Sequence, residues 1–171
     1  MDESITAYIS LGGNLGGEAG LFGRALDRMD TWPGVRVTAR SGLYQTEPQG
    51  DADQPWFTNQ VAALSCALGV VTPASLLHAM LRLEKELGRT RDADRRFAPR
   101  TLDLDLLLFG DIILQEEGVC VPHPRMTKRA FVLVPLLEIA PTLRIPEDGA
   151  ASEHLARLRY RLDDHTIFQE E

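Results

Sequence analysis

Four stretches of period-two apolar alternation, two amphipathic helical stretches among them and a leucine ladder interrupted by two aspartates predict an α+β fold. Their order, β-α-β-β-α-β, is that of a ferredoxin-like core, here with C-terminal strands and helices appended. The chain has 171 residues, 44% hydrophobic and 25% charged. That suits a single domain over residues 1–171, burying roughly 68–70% of its unfolded surface.

The first strand is expected over residues 4–11, with Ile5, Ala7, Ile9 and Leu11 on one face. Gly12-Gly13-Asn14-Leu15-Gly16-Gly17 then ends it. This is neither a G-x-G-x-x-G nor a G-x-x-x-x-G-K-[ST] pattern, so it reads as a turn into a helix, or as backbone that approaches a ligand closely. The helix spans about 18–31, with Leu21, Phe22, Ala25, Leu26 and Met29 in one stripe and Pro33-Gly34 as its stop. A second strand covers 35–44, a turn-rich loop 45–55, and a third strand 57–68. Thr72 is the expected N-cap, before Pro73, of a helix to about residue 87, with Gly88 as its C-cap.

The polar stretch 89–99 leads into Thr101-Leu102-Asp103-Leu104-Asp105-Leu106-Leu107-Leu108-Phe109. As a strand, this places Leu102, Leu104, Leu106 and Leu108 on one face, with Asp103, Asp105, Leu107 and Phe109 on the other. A helix would set the two Asp roughly 200° apart and scatter the apolar groups. By the usual topology this last core strand lies beside the first, at the sheet centre and parallel to it. Beyond it come short strands at 112–114 and 119–121, a helix over 127–137 with Phe131, Val134 and Leu137 inward and kinked or ended by Pro135, and a last helix over 152–162 with Leu155, Leu158 and Leu162 on its buried side. The acidic tail after it is expected to fray.

The aspartate pair carries the chemistry. Two ~3.3 Å steps set their Cα atoms roughly 6.6 Å apart. Like charges beside a leucine ladder are costly unless a cation neutralises them. Mg²⁺ relies on one or two carboxylates plus substrate phosphates, and such a pair could hold two ions about 3.5–4 Å apart. The plain alternative is a strand end with two solvated carboxylates. Arg95, Arg96 and Arg100 immediately upstream favour the metal, since a polyphosphate needs cations on both sides.

Charge narrows the partners. The net charge of −7 argues against a nucleic-acid binder. Yet residues 82–100 hold seven basic side chains against four acidic ones, a local +3 that leaves −10 elsewhere. Sixteen of eighteen basic residues are Arg, whose planar fork suits bidentate phosphate contacts. A small anionic ligand fits best. No apolar run approaches a membrane span, and Cys66 and Cys120 read as isolated buried thiols of a reducing cytoplasm. The N-terminus lacks the basic region of a signal peptide. Thr46, Trp56, Phe57 and Asn59 lie close in sequence and could read and cover a heterocycle, or could serve as core and turn residues. His123, between two prolines and ahead of Arg125, Lys128 and Arg129, is a candidate phosphate contact, whereas His78, His154 and His165 read as surface residues.

Ala98-Pro99-Arg100-Thr101-Leu102-Asp103-Leu104-Asp105 is close to the G-P-R-x-x-D-x-D motif of the 6-hydroxymethyl-7,8-dihydropterin pyrophosphokinases. Leu11-Gly12-Gly13-Asn14-Leu15-Gly16, Tyr44-Gln45-Thr46-Glu47-Pro48, Gln54-Pro55-Trp56-Phe57-Thr58-Asn59 and Val121-Pro122-His123-Pro124 extend the resemblance across about residues 7–146. It implies transfer of pyrophosphate from ATP to the pterin hydroxymethyl oxygen, releasing AMP, in folate biosynthesis. Asp103 and Asp105 would carry two Mg²⁺. Arg91, Arg96, Arg100, His123 and Arg129 would hold phosphates, with Arg91 and Arg96 arriving on a mobile loop and acting in catalysis beside the aspartates. Glu84 would sit near the nucleotide. The pterin would lie between Phe57 and Phe131, its edge read by Thr46 and Asn59.

The chain departs from the family pattern at Gly13, where Ser is common, and at Gly17, where Asp is. Ala98 replaces a Gly, Phe97 a Trp, Pro124 a Tyr and Gly118 an Arg found in some members, and the basic loop is one residue longer, leaving Arg95 and Arg96 interchangeable in assignment. Two other readings compete: a DxD-type Mg-dependent nucleotidyl- or glycosyltransferase, separated by its leaving product, and a ferredoxin-like regulatory module, separated by Mg²⁺-independent ligand binding. A monomer is expected, with a dimer open.

Overall fold

The computed structural model describes residues 3–14, 17–48, 53–87 and 102–170. The core elements are β1 (Ser4–Gly13), α1 (Glu18–Met29), β2 (Val35–Arg40), β3 (Tyr44–Thr46), β4 (Phe57–Ala67), α2 (Pro73–Glu86) and β5 (Asp103–Phe109). Then follow the small hairpin β6 (Leu114–Glu116) and β7 (Val119–Val121), a 3₁₀ turn (Met126–Lys128), α3 (Ala130–Ile139), β8 (Arg144–Ile145), β9 (Gly149–Ala150), α4 (Ala151–Arg157), β10 (Tyr160–Asp163) and β11 (Thr166–Gln169). Local chemistry fixes α2 well: Thr72 Oγ1 accepts from Ser75 N at 3.1 Å and Ser75 Oγ accepts from Thr72 N at 2.9 Å, a reciprocal cap ahead of Pro73.

The described strands form one main sheet in the order β10-β11-β3-β4-β1-β5, with β2 also pairing β4. β1 and β5 are neighbours as expected, but antiparallel, and β5 ends this order instead of lying at its centre. The direction follows from the connections. Each helix returns the chain, so β2 runs the same way as β1 and β5 the same way as β4; since β4 opposes β1, β5 must too. The expected single strand over 35–44 is two pieces, β2 and β3, both laid against β4. Between them Ser41 bonds Val61 through its backbone N–H and through its hydroxyl, and Gln60 Nε2 donates to the Ser41 carbonyl.

One face of the sheet packs on α1 and α2, burying Ala7, Ile9, Leu11, Phe22, Leu26, Leu76, Met80 and Leu83. The other face packs on α3, around Val61, Val132, Leu133 and Leu136. The leucine ladder serves both, and not by strict alternation. Leu102, Leu104 and Leu106 face the helices as expected, but so does Phe109, while Leu107 and Leu108 join the α3 cluster. The register slips here: Tyr8 opposes Leu108 but Ile9 opposes Leu106, leaving Leu107 as the extra residue of a β-bulge. One inserted residue inverts the phase of everything after it.

The C-terminal part departs further. Among residues 127–137, a 3₁₀ turn precedes the helix, which runs through Pro135 to Ile139 because Val132, Leu133 and Leu136 are buried around the proline. Phe131 and Leu137 are only half-buried. The expected strand at 112–114 starts only at Leu114, and the expected last helix stops at Arg157. The tail does not fray: β10 and β11 form a hairpin, and β11 runs parallel to β3 with Ile167 opposite Thr46. Leu162 is exposed, whereas Ile167 is 1% exposed. His154, expected at the surface, is mostly covered, with Nε2 2.7 Å from the Asp148 carbonyl oxygen. Cys66 is buried and Cys120 half-buried, both free thiols.

Candidate active site

The site is built on the α3 side of the sheet, from a row that crosses three strands. β1 runs through Gly12 to Gly13 instead of ending at Leu11, and Gly12 pairs with Asn59 on one side and Asp103 on the other. Directly opposed residues of antiparallel strands share a face. Asn59 and Asp103 therefore stand on the same face, separated by a residue without a side chain. One step along, Ser10 pairs with Val61 and Asp105. The sheet floor between Asn59 and the aspartates is thus bare at Gly12 and small at Ser10.

On the β4 side, Asn59 Nδ2 donates to Thr46 Oγ1 at 3.0 Å, and both residues are buried. That bond fixes the carboxamide plane and leaves its oxygen toward the bare floor, where a Cβ on Gly12 would lie 3.5 Å from it. Phe57, opposite Thr46, is half-buried on the same face. Trp56 is 42% exposed and meets Phe168 edge-on at 5.7 Å between ring centroids, so it is not a core side chain. Phe131 lies at the margin of the α3 clusters with the Arg129 guanidinium over its ring, 5.5 Å from the centroid. This is a cation–π pair.

On the β5 side, Asp103 and Asp105 are both half-buried. Burial raises the Asp105 carboxyl above its ordinary range, the Asp103 charge raises it further, and His123, Arg129 and Arg125 pull it back. His123 follows a cis Val121–Pro122 bond, and its backbone N–H donates to the carbonyl of the bulged Leu107 at 2.8 Å. Its Nδ1 accepts from the Arg125 N–H at 3.1 Å, so the neutral ring carries its hydrogen on Nε2. That nitrogen is 3.9 Å from Asp105 Oδ1. Burial holds the imidazole pKa below its usual value, Asp105 opposes this, and Arg129 and Arg125 add to it. Burial likewise lowers the Arg129 guanidinium, against the pull of Asp105.

Glu84 is 1% exposed and accepts the Leu104 N–H through Oε1 at 2.7 Å, tying α2 to the strand between the two aspartates. Arg91, Arg96 and Arg100 lie outside the described residues. The remaining predicted residues come from β3, β4, α2, β5, the turn after β7 and the start of α3. Arg125 is not among the predicted site residues, and Gly12, which the sequence leaves between a turn and backbone close to a ligand, is a strand residue whose register with Asn59 and Asp103 puts it on the floor between them. Among the described residues, no three His, Cys, Asp or Glu side chains group to hold an ion. Two adjacent carboxylates, one of them raised by its neighbour, nonetheless suit a hard cation that completes its shell with phosphate oxygens and water.

Residues 8–141 match the family model of 7,8-dihydro-6-hydroxymethylpterin-pyrophosphokinase (HPPK). The 2-amino-4-hydroxy-6-hydroxymethyldihydropteridine pyrophosphokinase of Methylorubrum extorquens is 43% identical over 152 residues, 89% of this chain and 92% of that one. The enzyme of the same name from Pseudomonas aeruginosa is 46% identical over 149 residues, 87% of this chain and 89% of that one. The fold is also that of Plasmodium falciparum HPPK-DHPS solved with pteroate, with a TM-score of 0.67 at 12% identity over 98% of this chain. The present chain spans 48% of that longer one.

Proposed function

The chain belongs to the 7,8-dihydro-6-hydroxymethylpterin-pyrophosphokinase family, which transfers pyrophosphate from ATP to the hydroxymethyldihydropterin of folate biosynthesis, and on that premise we propose which of its residues do so. In the reaction the hydroxymethyl oxygen bonds to the β-phosphorus of ATP. The bond from that phosphorus to the oxygen leaving with AMP breaks, and the hydroxyl proton is released.

The observation that carries the reading is the row Asn59–Gly12–Asp103. It sets a buried carboxamide and a carboxylate pair on one face with only Gly12 between them, which supports a site for a polar heterocycle beside a phosphate site. Asn59, oriented by Thr46, presents an amide edge to the pterin, while Phe57 and Phe131 supply apolar ring contacts. Asp103 and Asp105 hold Mg²⁺, two ions in our reading. Mg²⁺ supplies neutralisation of the phosphate charge and orientation of the triphosphate. Arg129 and neutral His123, a hydrogen-bond donor through Nε2, meet the phosphates from the α3 side. Arg91, Arg96 and Arg100 add cationic contacts, with Arg91 and Arg96 also acting in catalysis. Glu84 acts through Leu104, keeping the strand between the aspartates in place beside the nucleotide. Two free thiols and a net charge of −7 support a single cytoplasmic domain that works as a monomer. Among the described residues no helix is long and apolar enough to cross a membrane. The DxD nucleotidyltransferase alternative is not favoured by the family match.

The test is incubation with ATP, Mg²⁺ and 6-hydroxymethyl-7,8-dihydropterin, following AMP. Asp103→Asn and Asp105→Asn should each abolish AMP release while far-UV circular dichroism is unchanged. Near-normal turnover by either folded variant at saturating Mg²⁺ would sink the assignment.

A further inference from the structure

The hairpin β10–β11 lies beyond residues 8–141, the span of the family match, yet it touches the site from two directions. Through its backbone, β11 extends the sheet at β3, pairing Ile167 with Thr46, the residue that orients Asn59. Through its side chains it reaches the turn that carries Arg129. Gln169 Oε1 accepts the Ala130 N–H at 2.8 Å, and Gln169 Nε2 donates to the Lys128 carbonyl at 2.8 Å. One carboxamide thus grips the backbone on both sides of Arg129. Ile167, buried with Ala130 and Val134, closes the same contact from below, with Phe131 packed at its edge.

Arg129 needs such a grip. It sits at the N-cap of α3 in extended backbone, between a 3₁₀ turn and the helix, and no side chain of its own segment caps that end. Free N–H groups at a helix start take whatever acceptor is nearest. A carboxamide offers an acceptor and a donor in one rigid plane, which sets the angle of the turn as well as satisfying it. The guanidinium presented by that turn lies over Phe131 and within the field of Asp105.

We propose that Gln169 is a positioning residue of the phosphate site, clamping the Lys128–Ala130 backbone so that Arg129 is held ready for the triphosphate. The inference rests on the phosphate role of Arg129 given above, and the experiment separates the two. Affinity for a non-hydrolysable ATP analogue with Mg²⁺ is measured by calorimetry for the full chain, Gln169→Ala, Arg129→Ala and the double variant. Gln169→Ala should weaken binding roughly tenfold, the scale of the two hydrogen bonds lost. In the Arg129→Ala background the same change should cost less than about twofold, because there is no guanidinium left to position. Equal losses in both backgrounds, or no loss in the first, would overturn the proposal. Unchanged affinity in Arg129→Ala alone would remove the phosphate role of Arg129 and the proposal with it. Gln169→Met guards against misfolding, since it keeps the length and packing of the side chain and loses both hydrogen bonds. It should match Gln169→Ala, and a loss as large in the Arg129→Ala background would again count against positioning.

Discussion

Gly12→Ala asks whether the bare floor is where the pterin lies. The backbone at Gly12 is ordinary strand, and a Cβ there would stand 3.5 Å from Asn59 Oδ1 and 3.9 Å from the Thr58 carbonyl oxygen. Both are normal van der Waals contacts, so the fold should accept alanine. Reduced freedom of the unfolded chain should even favour it by about 0.4–1 kcal/mol. The ligand has no such latitude. A methyl rising between Asn59 and Asp103 would lift the ring off the sheet, and overpacking of this kind costs about 1–3 kcal/mol. That corresponds to a pterin Kd roughly 5- to 150-fold weaker. Titration of the pterin into enzyme with Mg²⁺ and an ATP analogue measures it, with a thermal melt run beside it. A stable variant whose pterin affinity stays within about twofold of wild type would refute the reasoning. The ring would then have to lie elsewhere than between those two side chains.

Two other substitutions test neighbouring parts. Asn59→Ala leaves polar edges of the heterocycle unpaired and should cost roughly 1–3 kcal/mol in pterin affinity, far more than in ATP affinity; calorimetry finding equal losses would count against it. Tyr44 donates to Glu138 Oε2 at 2.7 Å, and burial first, then Glu138, push its pKa up to about 12. A raised folded pKa means the contribution is whole below the ordinary value of 10.0 and lost as pH rises through about 12. Tyr44→Phe should therefore cost about 1.5–3 kcal/mol in urea unfolding at neutral pH. The gap to wild type should narrow as pH approaches 12, and a constant gap would refute the linkage.

Local signals in the sequence carried much of this. Period-two spacing marked Asp103 and Asp105 as strand neighbours, and Thr72-Pro73 marked the start of α2. What stayed hidden was set by pairing between distant segments. The Leu107 bulge has no local signature, because Leu107-Leu108-Phe109 is apolar whichever face each residue takes. Leu155, Leu158 and Leu162 sit at helical spacing, which concealed a hairpin whose turn is marked by Asp164 at φ 51°. Asp163-Asp164 was a turn signal that could have been weighed. The grip of Gln169 on Ala130 spans 39 residues, beyond any periodicity. His123 was legible as rigid and cationic in setting, yet the structure makes it a neutral donor.

The position of β5 at the end of the described sheet order has a consequence for solubility as well as for chemistry. A terminal strand offers unpaired backbone groups on which a second molecule can template itself. Here the strand opens with two carboxylates, is bent by the Leu107 bulge, and has the Leu107 carbonyl taken by the His123 N–H. Each of these discourages a flat partner strand. The two carboxylates therefore also guard the chain against self-association.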